Sequence, residues 1–597
     1  MLKLLKILGR RERTIFTFVL AVMLLIGFTQ LIGIGALLPF ITLLADPEQL
    51  QQNSLLSWSY EAFDFESSRV FLVFVGGIAL SALVLSNVVL AIGLFIVEKY
   101  ARGMQHKLSV RLFEGYLSRP YAFFLKGNSN DLSRNVLIET GILVEGVVLP
   151  TIQILTGTVT SVFIFGFILW LNPVMTLIVI GVMGTSFTVV YLIIQKVMTS
   201  YGEKRFVANS IRFRSANESF TGLKDLKVLG RQEEYQRRFR NSSRKYTNAL
   251  VIESLSAQLP RFLVETIAFG GILIIVLYLL LAGSEFKDIV IFASIFSFAG
   301  FRTLPALQQI YRASAKLKFT KIVADTLIGD LQEDRARLDT PAEHSGDINF
   351  EHFVKLENIN FSYSERNSEA LQNVSMQINK GSFVAIVGRT GSGKTTLVDL
   401  LLGLLEPDSG ELSVDEIQIN QSNAPMWRRQ VGYVPQQIFL ADDTLSANIA
   451  LGISEQLVDQ EKVERAAQIA QVNEFIDQLP QGFATFLGER GVRLSGGQRQ
   501  RVGLARAIYS SPSVLILDEA TSSLDSITER AVMSAVHHLK GEMTTIVVAH
   551  RLSTVMNSDE IFIFDSGALV ESGQYQQLLK TSELFKDLAS QFEDATD

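Results

Sequence analysis

The sequence predicts an all-α membrane domain of six transmembrane helices followed by an α/β domain around a buried parallel sheet. Three observations carry this. Six windows of roughly 20 apolar residues, long enough to cross ~30 Å of hydrocarbon, lie before about residue 312. The connections between them alternate between basic and non-basic. From Phe350 onward, short β-branched runs, glycine turns and amphipathic stretches replace the long apolar ones. We therefore expect a transmembrane domain over 1–330, a linker over 331–349 and a second domain over 350–597.

The bulk composition fits that division. Of 597 residues, 48% are hydrophobic and 19% charged, a low charge for a wholly soluble protein. The formal net charge of −6 offers no basic excess for nucleic acid, which is not expected as a partner. The chain has no cysteine, which excludes disulfides, thiolate metal sites and cysteine nucleophiles.

The six windows cover about 15–44, 69–97, 142–171, 173–197, 259–282 and 287–311. Lys3, Lys6, Arg10, Arg11 and Arg13 precede the first, as in a signal peptide. Its apolar run continues far past a ~7–15-residue signal core without a small-residue cleavage site, so we expect a retained span. The connection 46–66 carries Asp46, Glu48, Glu61, Asp64 and Glu66 and no Lys or Arg. The next carries Lys99, Arg102, Lys107, Arg111, Arg119, Lys126 and Arg134. Asn172 marks an uncharged turn, the stretch 196–253 is rich in Arg and Lys, and 283–288 is short and slightly acidic. The positive-inside rule then puts both termini in the cytosol. The two basic connections are too long for turns, and we expect helices that continue into the cytosol and end in short docking elements near 119–131 and 217–225.

In the second domain, Ala385-Ile386-Val387 reads as a strand end, and Thr396-Leu397 as an opening helix. Between them stands the P-loop pattern Gly388-Arg389-Thr390-Gly391-Ser392-Gly393-Lys394-Thr395. Its glycines let backbone N–H groups close around phosphates at a helix N-terminus. Lys394 is expected on the β- and γ-phosphates, Thr395 on Mg²⁺, and Thr396 at the start of the helix. Val514-Leu515-Ile516-Leu517 has the unbroken apolar texture of a buried parallel strand and ends in Asp518-Glu519. Ligands bind beyond the carboxyl ends of such strands, so Asp518 suits the Mg²⁺ shell and Glu519 suits polarising an attacking water.

With these residues in place, 350–585 resembles the ATPase of ABC transporters. Leu494-Ser495-Gly496-Gly497-Gln498 matches that family's signature letter for letter. The resemblance implies that Tyr363 stacks on adenine, that Gln436 is the Q-loop glutamine near the metal and the attacking water, and that His550 is the switch histidine. Ser523-Leu524-Asp525 resembles the D-loop. The resemblance further implies ATP and Mg²⁺ as cofactors and a head-to-tail dimer, in which Ser495 and Gly497 of one chain cap ATP held by the other. Because every motif is intact, a homodimer with two competent sites is expected.

Six helices fused ahead of the ATPase resemble the exporter architecture, and Gly488-Glu489-Arg490-Gly491 resembles the exporters' X-loop. Importers usually keep the halves on separate chains. A soluble ABC ATPase would lack the spans, and an ATP-gated channel would show uncoupled ion conductance. Arg261 and Glu265 lie one turn apart near the inner end of the fifth window, and Arg302 lies in the sixth. Charges inside spans face a cavity or pair with each other, and arginine grips phosphate bidentately. The strings around 259–265, 301–305 and 39–46 resemble bacterial flippases of lipid-linked oligosaccharides, although the second span offers no basic residue of the kind those flippases present. In the outer connection, Leu55, Leu56, Trp58, Phe63 and Phe65 are expected to form an interfacial amphipathic helix. The resemblance implies a half-transporter of the bacterial cytoplasmic (inner) membrane that flips a lipid-linked oligosaccharide or similar membrane lipid. The alternative is a lipid A or multidrug exporter.

Overall fold

The computed structural model describes residues 9–45, 54–126, 129–171, 173–283, 286–338, 348–363, 369–488, 491–520, 525–549 and 551–594. Residues 1–119 and 126–340 form one compact unit, and residues 120–125 together with 341–597 form another.

The first unit is helical because its long apolar stretches have no partner strands, and in hydrocarbon a helix satisfies its own backbone hydrogen bonds. Among the described residues, four helical runs are long and apolar enough to cross a membrane: Arg11–Ile32, Ser68–Leu117, Ser129–Trp170 and Gln232–Leu281. The fourth and sixth expected windows fall within the long helices Pro173–Thr221 and Phe286–Phe319. Apolar side chains on these helices point outward: Val73 is 75% exposed, Trp170 80% and Leu281 88%. Such a surface is untenable in water and suits lipid.

The basic connections are themselves helical. Ser68–Leu117 and Gln232–Leu281 each run 50 residues and Pro173–Thr221 runs 49. At ~1.5 Å per residue a 50-residue helix is ~75 Å long, well over twice the ~30 Å core. Short helices, Tyr121–Lys126 and Leu223–Val228, stand at the two turns. Pro260 sits inside the helix Gln232–Leu281 and cannot donate to the carbonyl four residues back. The Tyr311 hydroxyl donates to that carbonyl, on Ser256, at 3.1 Å, which joins this helix to Phe286–Phe319. The helix Lys321–Leu338, with Val323, Leu327 and Leu331 buried, belongs to the same packed unit, so the expected linker begins inside a helix.

The outer connection differs in detail from the expected amphipathic helix. A helix spans Ser54–Ala62, but Leu56 and Phe65 turn inward onto Phe71 and Val75. Trp58 and Phe63 stay exposed, and the side chain of Leu55 lies outside the description. Tyr60 and Phe65 each meet Phe71 edge-on at 5.2 Å, an arrangement that aromatic rings favour.

The second unit is built on two sheets. One is antiparallel, in the order β2 (Leu371–Asn379), β1 (Phe353–Phe361), β4 (Ser409–Val414) and β5 (Ile417–Gln418). The other has the order β10 (Ala568–Gly573), β9 (Glu560–Asp565), β3 (Phe383–Gly388), β8 (Thr544–Val548), β7 (Val514–Asp518) and β6 (Val431–Val434). All its pairings are parallel except β10 with β9. Every residue of β3, β7 and β8 is buried, as their apolar runs require of strands covered on both faces. Side chains alternate between two cores: Val384, Ile386, Val514 and Ile516 feed one, and Ala385, Val387, Leu515 and Leu517 the other. Burying one Val or Ile side chain is worth about 1.5–3 kcal/mol, so this sheet is a firm platform for the residues at its edge.

Candidate nucleotide site and membrane charges

Because β6, β7, β8 and β3 run parallel, their carboxyl ends lie along one edge of the sheet. Gly388 ends β3, Asp518 ends β7, and β6 ends two residues before Gln436. Topology thus gathers onto one edge residues more than a hundred positions apart. This is the crevice in which ligands of open parallel sheets bind.

The P-loop has the backbone that its glycines permit. Gly393 caps the helix Lys394–Leu401 with φ +100°, and a Cβ there would lie 2.8 Å from the carbonyl oxygen of Ala370. At Gly388 a Cβ would lie 2.1 Å from the Phe564 carbonyl oxygen. Lys394 is buried and donates to the carbonyls of Gly388 at 2.7 Å and Arg389 at 2.9 Å. Burial lowers its pKa, against the charges of Glu519 and Asp518, which raise it. The Ser392 hydroxyl is buried without a hydrogen-bond partner among the described residues. An orphan donor inside a curled loop, beside a buried ammonium and a helix N-terminus, is the arrangement that a polyphosphate completes. Thr390 and Gly391 complete the loop, Thr395 is exposed on the first turn, and Thr396 is buried. The Tyr363 hydroxyl lies 3.0 Å from the Thr396 hydroxyl, and its ring stands edge-on to Phe361.

Two of the expected catalytic residues meet directly: Gln436 Nε2 donates to Glu519 Oε2 at 2.7 Å. Glu519 takes φ +51°, a left-handed backbone uncommon outside glycine and a mark of functional sites. Among the described residues no group of three His, Cys, Asp or Glu is placed to hold a metal ion by itself. The oxygen donors Thr395, Asp518 and Gln436 match Mg²⁺, which binds through one or two carboxylates, phosphates and water. Bound there, Mg²⁺ would neutralise phosphate charge.

Sequence reasoning missed two neighbours. Burial and the charge of Asp518 push the Asp399 carboxyl up to about 6. Tyr433 is held above its usual range by burial and by Asp518, to which it hydrogen-bonds. Asp399, an acid between Leu397-Val398 and Leu400-Leu401 in the P-loop helix, was the available signal.

The signature residues sit elsewhere in the unit. Ser495 is the N-cap of the helix Gly496–Tyr509: its hydroxyl accepts from the Gln498 N–H at 3.2 Å, and its own N–H donates to Gln498 Oε1 at 2.8 Å. This capping box leaves Gly496 and Gly497 in the first turn, where backbone N–H groups suit an anion. Among the described residues no hydrogen bond links 495–498 to the P-loop. His550, Ser523, Leu524, Glu489 and Arg490 lie outside the described residues; Asp525 N-caps the helix Ser526–His537.

Within the membrane unit, Arg261 Nε lies 2.5 Å from Glu265 Oε1, and Gln308 Nε2 reaches the same oxygen at 3.4 Å. The expected pairing one helical turn apart is present, with the Arg261 side chain 54% exposed. Arg302 lies in the helix Phe286–Phe319, and its side chain is outside the description.

Fold and edge residues together define a P-loop ATPase fused to membrane-crossing helices. Two family models match the chain: the ABC transporter transmembrane region over 14–302 and the ABC transporter over 371–522. The ATP-dependent lipid A-core flippase of Aromatoleum aromaticum is 30% identical over 500 residues, covering 82% of this chain and 80% of that one. The protein of the same name from Pseudomonas putida is 31% identical over 495 residues, with the same coverage. A solved structure of a bacterial Atm1-family ABC exporter with ATP bound shares the fold, with a TM-score of 0.75 and 24% identity over 96% of this chain and 97% of that one. The chain belongs to the ABC transporter family, as an exporter half-transporter. It binds ATP and couples ATP hydrolysis to transport across a membrane.

Proposed function

We propose that this half-transporter works as a homodimer in the bacterial inner membrane, with both termini cytosolic, and flips a phosphorylated glycolipid from the cytosolic to the outer leaflet. The observation that carries the reading is the similarity to lipid A-core flippases along four-fifths of the chain. That relation favours lipid A bearing core sugars. The lipid-linked oligosaccharide suggested by the short strings around Arg261 and Arg302 shares its chemistry, sugars on a phosphorylated lipid. A phosphate at the inner end of the fifth membrane window, 259–282, would compete with Glu265 for Arg261, whose guanidinium is half-exposed. In nanodiscs, ATP turnover should rise several-fold with core-bearing lipid A and less with a lipid-linked oligosaccharide. The reverse order would move the assignment to the oligosaccharide, and stimulation by neither, with a cationic drug active, would move it to multidrug export.

At the sheet edge, Lys394 and the loop N–H groups would hold the phosphates, with Tyr363 on the adenine. Thr395, Asp518 and Gln436 would hold Mg²⁺. Glu519, fixed by Gln436, would polarise the attacking water, with His550 as its partner on the γ-phosphate side. Ser495, Gly496, Gly497 and Gln498 of the second chain would close the site, because their helix N-terminus is exposed and unattached to the P-loop of its own chain.

Mixed dimers test that sharing. One chain carrying Ser495→Arg and the other Lys394→Ala should leave one composite site doubly disabled and the other intact. Equilibrium binding of labelled ATP should therefore show one site per dimer. Loss of both would mean that each chain uses only its own motifs.

A further inference from the structure

Compactness divides the chain at three points, 119/120, 125/126 and 340/341. Arg119 is the last residue of the membrane unit before the first of these, and the helix Lys321–Leu338 is its last described element before the third. These two places hold each other. Arg119 Nε donates to Asp334 Oδ1 at 2.7 Å, with the two side chains 2% and 1% exposed. Its NH2 group reaches the Asp330 carboxylate and carbonyl at 3.4 Å and lies 3.8 Å from Glu333. The Tyr116 ring lies under the same guanidinium, and the Tyr116 hydroxyl donates to Asp330 at 2.6 Å.

The helix Lys321–Leu338 is seated for this contact. A Cβ on Gly115 would lie 2.3 Å from Asp334 Oδ2, so glycine is what lets the two helices close on the pair. At the other end, the helix Phe286–Phe319 stops at Thr320, whose hydroxyl donates to the Gly146 carbonyl at 2.7 Å. Val323, Leu327 and Leu331 pack with Leu108, Leu112 and Leu143 between these anchors.

A buried arginine shared among several acids is an expensive way to join two helices, since apolar residues of similar volume hold as well or better. What an ion pair supplies is one orientation. We propose that Arg119 and Asp334 form an ionic lock that makes the start of the 120–125 segment and the 321–338 helix move as one lever, so that nucleotide binding in the ATPase reaches the membrane helices. Arg119 is in this sense a positioning residue for coupling and takes no part in the hydrolytic chemistry. The proposal rests on membership of the exporter family and not on the identity of the lipid.

The test is hydrogen exchange of the full chain in nanodiscs, with and without a non-hydrolysable ATP analogue, following amides in 68–100 and 286–310. The unmodified protein should show a nucleotide-dependent change in both segments. Arg119→Leu, and the near-isosteric Asp334→Asn in case the first fails to fold, should keep ATP affinity and basal turnover within twofold. Each should shrink the exchange change in the membrane helices at least fivefold. Arg119→Lys, which keeps the charge and loses the fork, should restore part of it. An undiminished exchange response in the folded variants would overturn the lock. So would a parallel fall in melting temperature, ATP binding and exchange response, which would make the pair a fold brace only.

Discussion

Glu519→Gln should bind ATP with near-normal affinity and lose turnover by about 10²–10⁴-fold, the usual worth of a positioned general base. Glutamine has nearly the same shape and leaves an oxygen to accept from Gln436, so the 2.7 Å contact and the left-handed backbone at this position survive. What disappears is the negative charge that draws a proton from water. The nucleotide-bound state should then accumulate, visible as ATP retained through rapid gel filtration. A variant that turns over near the normal rate would remove Glu519 from the role assigned to it.

Lys394→Ala should fail one step earlier. The ammonium is already stripped of water and held by the carbonyls of Gly388 and Arg389, and those neutral acceptors are a poor match for a full charge. Polyphosphate is the better partner, and a charge-assisted hydrogen bond of this kind is worth ~1.5–3 kcal/mol. The Kd for ATP should weaken about 10- to 150-fold, measured by titration with a fluorescent analogue. Depressed basicity does not weaken this expectation, because phosphate raises the pKa again when it binds. Unchanged affinity would mean that the loop at 388–395 holds something else.

Much of the nucleotide site was legible in the sequence because one rule governs it. Parallel strands deliver their carboxyl ends to one edge, so Gly388, Asp518 and Glu519 had to converge once the strands ending at Val387 and Leu517 were recognised, whereas Gln436 came from the family resemblance alone. The Arg261–Glu265 pair was legible from its helical spacing. Long-range pairing was not. Arg119 and Asp334 are 215 positions apart; Arg119 read as one charge of a basic connection, and Asp334 fell in the expected linker. Asp399 lacked a motif, and its unusual environment arises from burial and from Asp518 on a strand far along the chain. In the outer connection a helix forms at Ser54–Ala62 as expected, but the partner that Phe65 finds in Phe71 only tertiary packing reveals.

The central claim is ATP-driven movement of a phosphorylated glycolipid, and flipping in proteoliposomes tests it most directly. Lipid A bearing fluorescent core sugars would be incorporated with the purified chain, and quenching by an impermeant reagent would count the lipid in each leaflet after ATP addition. The unmodified protein should move the lipid only with ATP, the Glu519→Gln variant should not, and the Arg261→Ala, Arg302→Ala double variant should lose flipping while keeping basal hydrolysis. Lysine at both positions should restore part of it, since it keeps charge without the bidentate fork. Equal leaflet counts with and without ATP in the unmodified protein, on vesicles that hydrolyse ATP, would contradict the account.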